Sequence, residues 1–188
     1  MRIVAGRFKG RHISTPDGQK TRPTSDRARE AIFNILAHAD WVPNLDGARV
    51  LDIFAGSGAL GLEALSRGAA FCLFVETDET ARGAIRENVE TFALFGTTRV
   101  HRRDATKLGL RTGAMGAPYD LVFLDPPYHK GLGEQALKSL IDGDWLSEKA
   151  IVVFERASDE DDFISGDWHK ISSKIYGAAQ VLFLERKI

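Results

Sequence analysis

The chain reads as an α/β protein on a mostly parallel seven-stranded sheet with a C-terminal antiparallel hairpin, helices on both faces and a small N-terminal β-hairpin extension. Three observations predict this. From residue 49 onward, short apolar runs alternate with segments of helical periodicity, which is the pattern of strands joined by crossover helices. The last two strand-like runs, 168–175 and 179–186, flank Gly177-Ala178, and strands joined so tightly must be antiparallel. Residues 1–14 alternate loosely and turn at Gly6 and Gly10, as a short hairpin does.

Taken in order, the hairpin is followed by a loop over 15–23, punctuated by Pro16, Gly18 and Pro23. A helix follows, capped by Thr24 or Ser25, with Ala28, Ile32 and Leu36 beside Ala31 and Ile35 as its apolar stripe. Pro43 lies beyond its end. Strands are expected near 49–54, 70–76, 98–102, 119–124 and 150–155, and helices near 59–67, 79–94 and 132–142. Residues 1–23 form a basic arm and residues 24–188 the main domain. No internal repeat or low-complexity tract interrupts them.

At 188 residues, with 44% hydrophobic and 27% charged residues, the chain has the composition of a soluble globular domain. No apolar run approaches the ~20 residues that span a bilayer, and the N-terminus has no signal-peptide core. The single cysteine, Cys72, lies in an apolar strand and is expected as a small core residue. These features predict a cytoplasmic protein. The net charge of −1 conceals an asymmetry: residues 1–30 carry eight basic and three acidic side chains. A basic arm on an acidic body suits a polyanionic partner met at one end. A merely solvated terminus has the same charge.

The run Val50–Phe54 leads into Gly56-Ser57-Gly58-Ala59-Leu60-Gly61, and Glu76 follows Gly56 by 20 residues at the end of the second strand. This is the dinucleotide pattern G-x-G-x-x-G with an acid for a ribose hydroxyl, so a nicotinamide-dependent oxidoreductase is a real alternative. Asp52 argues against it. A carboxylate so close to the loop repels a pyrophosphate and attracts an ammonium group, which S-adenosylmethionine carries. The segment Leu51-Asp52-Ile53-Phe54-Ala55-Gly56-Ser57-Gly58 resembles motif I of class I S-adenosylmethionine-dependent methyltransferases, whose fold is Rossmann-like. The resemblance assigns Asp52 to the methionine end, and Phe54, Ala55, Gly56, Ser57 and Gly58 to close backbone approach. It assigns Glu76, with Thr77 beside it, to the ribose, and Asp104, with Ala105, to the adenine. Asp104 also reads as a simple cap or turn residue.

The strand-like run Tyr119–Leu124 ends in Asp125-Pro126-Pro127-Tyr128, where open α/β sheets bind ligands. Two prolines give a stiff backbone with carbonyls but no N–H groups. A carboxylate and an aromatic ring flank them. On its own the tetrapeptide serves equally as a clamp or as a turn. It resembles motif IV of the amino-methyltransferases, which methylate exocyclic nitrogens of bases or planar amides. Such a nitrogen is a poor nucleophile because its lone pair is delocalised. Asp125 and the Pro126 carbonyl would each accept one N–H, and Tyr128 would stack on the ring. The expected catalytic set is therefore Asp125, Pro126, Pro127 and Tyr128. No metal is called for, and the five histidines are scattered.

The 188 residues hold no separate DNA-reading domain, so specificity is expected to come from a shaped substrate, with folded RNA or a ribonucleoprotein the natural candidate. Arg2, Arg7, Lys9, Arg11 and Arg22 would make phosphate contacts, which position rather than specify. Arg2-Ile3-Val4-Ala5-Gly6, Lys9-Gly10-Arg11 and Arg22-Pro23-Thr24-Ser25-Asp26-Arg27-Ala28-Arg29-Glu30, together with the loop and the clamp, resemble the RsmD-type bacterial enzymes. That resemblance implies methyl transfer from S-adenosylmethionine to guanine N2 of 16S rRNA, leaving S-adenosylhomocysteine. The partner it implies is 16S rRNA or the assembling small subunit, with no membrane involved. A monomer is expected. An adenine-N6 DNA methyltransferase would share the clamp and the cofactor.

Overall fold

The structure, a computed structural model, describes residues 1–16, 26–163 and 165–187. Along it run α1 (Asp26–His38), β1 (Arg49–Ile53), α2 (Ala59–Ser66), β2 (Phe71–Val75), α3 (Glu79–Thr91) and β3 (Thr98–His101). Then come β4 (Tyr119–Leu124), α4 (Leu132–Asp142), β5 (Leu146–Ala157), β6 (Trp168–Tyr176) and β7 (Ala179–Arg186). Short 3-10 turns at Ala105–Lys107 and Gly113–Met115 lie between β3 and β4.

The strands form one seven-stranded sheet in the order β3-β2-β1-β4-β5-β7-β6. The first five pair in parallel and β7 pairs antiparallel with both β5 and β6. The order reverses between β1 and β4. That is the switch point at which a crevice opens beyond the carboxyl ends of the strands.

Side chains alternate across the sheet, as the pleat requires. Val50, Cys72, Phe74, Leu121, Phe123, Val153 and Phe183 face one core layer, with Ile32, Phe33 and Leu36 of α1, Leu62 and Leu65 of α2, and Ile85 and Val89 of α3. Leu51, Ile53, Leu73, Val75, Val122, Leu124, Val152 and Leu182 face the other, against Ala136, Leu137 and Leu140 of α4 and Trp145. Helices thus cover both faces, and buried Cys72 belongs to the first layer.

Three local readings need adjustment. The N-terminal hairpin is held by a single Arg2–His12 bridge and flanking backbone hydrogen bonds rather than by formed strands. Gly6 and Gly10 turn it at φ 81°. β5 begins at Leu146 instead of near 150, because Leu146 pairs with Tyr119 before the register shifts ahead of Leu121. α3 stops at Thr91, where Ala93 adopts a left-handed φ of 54°. The caps Thr24 and Ser25, and Arg22, lie outside the described residues.

Candidate active site

Beyond the strand ends lies a cavity of about 760 Å³. Its wall contains Asp52, Phe54, Ala55, Gly56, Ser57, Glu76, Thr77, Asp104 and Ala105, together with Asp125, Pro126, Pro127 and Tyr128. The glycine loop and the Asp-Pro-Pro-Tyr segment, about 70 residues apart in the chain, therefore share one enclosure. Gly58 differs. It heads α2 at φ 75°, and a Cβ there would face Phe74 and Ile85 at 3.1 and 3.2 Å, so its role is packing rather than cavity lining.

The loop is built by backbone geometry. Phe54 and Gly56 take left-handed φ values of 56° and 54°, a conformation that strains a bulky side chain. Nothing lies within 4 Å of where a Gly56 Cβ would stand, which leaves the backbone open to a ligand. Glu76 holds the loop: its Oε2 accepts from the Gly56 N–H at 2.9 Å and its Oε1 from the Asp78 N–H at 2.9 Å. Asp78 in turn caps α3 by accepting from the Ala81 N–H at 2.7 Å.

Asp52 is buried, and its Oδ2 accepts the Gly61 N–H at 2.9 Å. Burial raises its carboxyl pKa from 3.8 to about 8; the Gly61 hydrogen bond pulls it down and the Glu76 charge adds to the rise. Gly61 is required by packing, because a Cβ there would meet Phe74 and the Cys72 sulfur at 2.5 and 2.6 Å.

Asp104 realises the capping reading and still faces the cavity. Its Oδ1 accepts from the Thr106 N–H at 2.9 Å and the Thr106 hydroxyl at 2.7 Å. The Thr106 hydroxyl bond is the main reason that its carboxyl sits below the ordinary range.

β4 stops at Leu124 because Pro126 has no N–H to continue the ladder. Burial pushes the Asp125 carboxyl well above the ordinary range, and the charges of Glu155 and Asp52 push it further. Tyr128 donates its hydroxyl to Glu155 Oε1 at 2.6 Å. The chain leaves the clamp through His129, whose N–H is held by Glu160 at 2.8 Å. Glu160 is itself gripped by Arg156 at 2.9 Å from both Nε and Nη2.

Glu155 was missed in the sequence, although a signal for it existed. It is an acid at the carboxyl end of the apolar run Ala150–Phe154, just as Glu76 and Asp125 end theirs. Arg29 also borders the cavity and is fully buried. It pairs with Asp26 at 2.8 Å and lies 3.7 Å from Glu63.

The basic arm is docked, not loose. Ile3 and Ile13 enter the α1–α3 core layer. Val4 and Ala5 donate to the buried Glu63 carboxylate at 2.8 and 2.9 Å. Arg7 stacks on Phe8, and Arg11 on Phe92, both at 4.5 Å. Arg2, Arg7, Lys9 and Arg11 are exposed. Among the described residues no group of three or more His, Cys, Asp or Glu is placed to hold a metal ion, and no helix is long and apolar enough to cross a membrane.

Residues 1–185 match the family described as conserved hypothetical protein 95. The chain is 40% identical over 155 residues to ribosomal RNA small subunit methyltransferase D of Escherichia coli, covering 82% of this chain and 74% of that protein. It is 34% identical to the Haemophilus influenzae protein of the same name, covering 94% and 89%. The solved structure of the putative methyltransferase yhhF from Escherichia coli superposes with a TM-score of 0.81 at 34% identity, covering 100% of this chain and 98% of that one. The fold is Rossmann-like, and the chain belongs to the RsmD family of ribosomal RNA methyltransferases.

Proposed function

We propose that the protein transfers a methyl group from S-adenosylmethionine to the exocyclic N2 of a guanine in small-subunit rRNA. The observation that carries this reading is the single cavity shared by the glycine loop and the Asp125–Tyr128 segment.

The donor set suits this cofactor. Six acids, Asp52, Glu76, Asp78, Asp104, Asp125 and Glu155, border the cavity against two cations, Arg29 and Arg103, beside apolar Phe54, Leu60, Val75 and Ala105. Such a wall favours a cationic, phosphate-free molecule over a dinucleotide pyrophosphate. In this reading Asp52 faces the ammonium end, Glu76 the ribose diol and Asp104 the adenine amino group. When bound, the cofactor supplies an electrophilic methyl group on a positively charged sulfur.

The chain itself supplies orientation and acceptors. Asp125 and the Pro126 carbonyl each take one N–H of the target amino group, which turns its lone pair out of the base plane. Tyr128 fixes that plane by stacking. The proton lost from nitrogen passes to the Asp125 carboxylate. Its surroundings raise its proton affinity, which suits it to that task. Positioning and preorganised acceptors are the main contributions. The exposed cations Arg2, Arg7, Lys9 and Arg11 hold RNA phosphates.

The test is incubation with labelled cofactor and small subunits from cells lacking the enzyme, followed by nucleoside mass spectrometry. N2-methylguanosine supports the reading. N6-methyladenine, or better turnover on duplex DNA, would favour the adenine-N6 alternative. Tight NAD binding without S-adenosylhomocysteine binding would favour the oxidoreductase.

A further inference from the structure

We infer that Glu155 is a positioning residue that fixes the Tyr128 ring, and through it the plane of the target base. The inference rests on the proposed amino-methyl transfer, in which Tyr128 stacks on that base. Both side chains border the cavity, and the Tyr128 hydroxyl meets Glu155 Oε1 at 2.6 Å. That is the length of a charge-assisted O–H···O bond, about twice as strong as a neutral one.

The two ends of the bond differ in freedom. Glu155 sits in β5, paired with Val181 of β7 and 8% exposed. Tyr128 sits in the loop after β4, where Pro126 has ended the ladder. His129 follows it at a left-handed φ of 59°. A tyrosine has two rotatable side-chain angles. The hydrogen bond to the anchored carboxylate at the far end of the ring restricts both. A stacking platform works only if its plane is set before the substrate arrives, since misplacement by about 1 Å can cost about a hundredfold in rate. The carboxylate of the neighbouring strand thereby orders the clamp from outside the tetrapeptide.

The experiment is a double-mutant cycle read in kcat with saturating cofactor. Y128F keeps the ring and removes the bond, and E155A removes it from the other side. Each is expected to lower kcat about tenfold. The Y128F/E155A double variant should lose less than the product of the two single losses, since the variants share the Tyr128–Glu155 bond, while E155A also removes a charge that acts on Asp125. E155Q, which still accepts from the phenol, should recover most of the loss. Full kcat in Y128F, multiplicative losses in the double variant, or no recovery in E155Q would overturn the inference. Y128F alone decides the matter if E155A does not fold, because its changed atom is a single hydroxyl.

A readout independent of turnover separates this from the functional proposal. The chain has three tyrosines, so a spectrum of protein labelled at the tyrosine 13Cζ has three signals, and Y128F identifies one. E155A should move that signal and leave the other two. An unmoved signal contradicts the Glu155 link whatever the protein methylates. A moved signal in a wild-type protein without methyl transfer contradicts the functional reading alone.

Discussion

Asp52 Oδ2 holds the Gly61 backbone N–H at 2.9 Å and so ties the end of β1 to the first turn of α2. The carboxyl group doing this has a pKa near 8, against 3.8 for the ordinary side chain. Between those values the folded protein binds a proton that the unfolded chain does not. Raising the pH through this window therefore destabilises the unliganded fold, by at most about 1.4 kcal/mol per pH unit from this group. Asp125, shifted in the same direction, adds to the slope. Denaturant titrations at several pH values should show a shallower slope for D52N. Cofactor affinity should rise from pH 6 to 8, as ionised Asp52 becomes available to a bound ammonium group. Calorimetry in that range would show a decrease instead if Asp52 does not face a cation.

Gly61 and Gly56 should fail differently. A Cβ on Gly61 meets Phe74 and Cys72 below 3.0 Å, so G61A should cost about 1–3 kcal/mol of stability by overpacking. At Gly56 the Cβ meets nothing, and only the φ of 54° is strained. G56A should cost about 1–2 kcal/mol but weaken cofactor binding more than G61A does. Denaturant unfolding and calorimetry on both variants separate the effects.

Glu63 is the fastening point of the arm. Its buried carboxylate accepts from Val4 and Ala5 and faces Arg29 and Arg67. E63A strips the Val4 and Ala5 N–H groups of their acceptor and takes one of two carboxylates from buried Arg29, and should destabilise the protein by about 3 kcal/mol. Arg67 is 14% exposed at its side chain and can turn toward water, so the fully buried Arg29 should dominate that loss. An E63A/R29M pair should recover part of it in denaturant unfolding.

Lys9 is exposed on the docked arm. K9A should weaken binding to small-subunit RNA, lower the slope of log affinity against log salt by about 1, and leave cofactor affinity unchanged. A salt titration with an unaltered slope would remove Lys9 from the RNA contact.

Much of this arrangement was legible in the chain because the same physical rule recurs. Acids at or near the carboxyl ends of apolar runs, at Asp52, Glu76 and Asp125, come together when parallel strands align their ends. Asp104 joins them just beyond β3. Glu155 obeys the rule and was overlooked because no loop motif surrounds it. Its partner is the tyrosine of a motif 27 residues earlier. The docking of the arm was not legible either. It depends on Glu63, which at the sequence level is one polar position in a helix and in space is an acceptor for two backbone N–H groups 58 and 59 residues away. The basic residues Arg7 and Arg11 were read as phosphate contacts. Arg7 stacks on its chain neighbour Phe8, but the stacking of Arg11 on Phe92 is a contact that only the fold makes.

The central claim is that Asp125 and its neighbours act on a planar amino group of rRNA. It is tested most directly by nucleoside mass spectrometry of small subunits treated with wild-type protein and with D125A. The wild type should yield N2-methylguanosine and D125A at least about a hundredfold less, with S-adenosylhomocysteine still bound by both. Full methylation by D125A, or methylation at another atom, would contradict it.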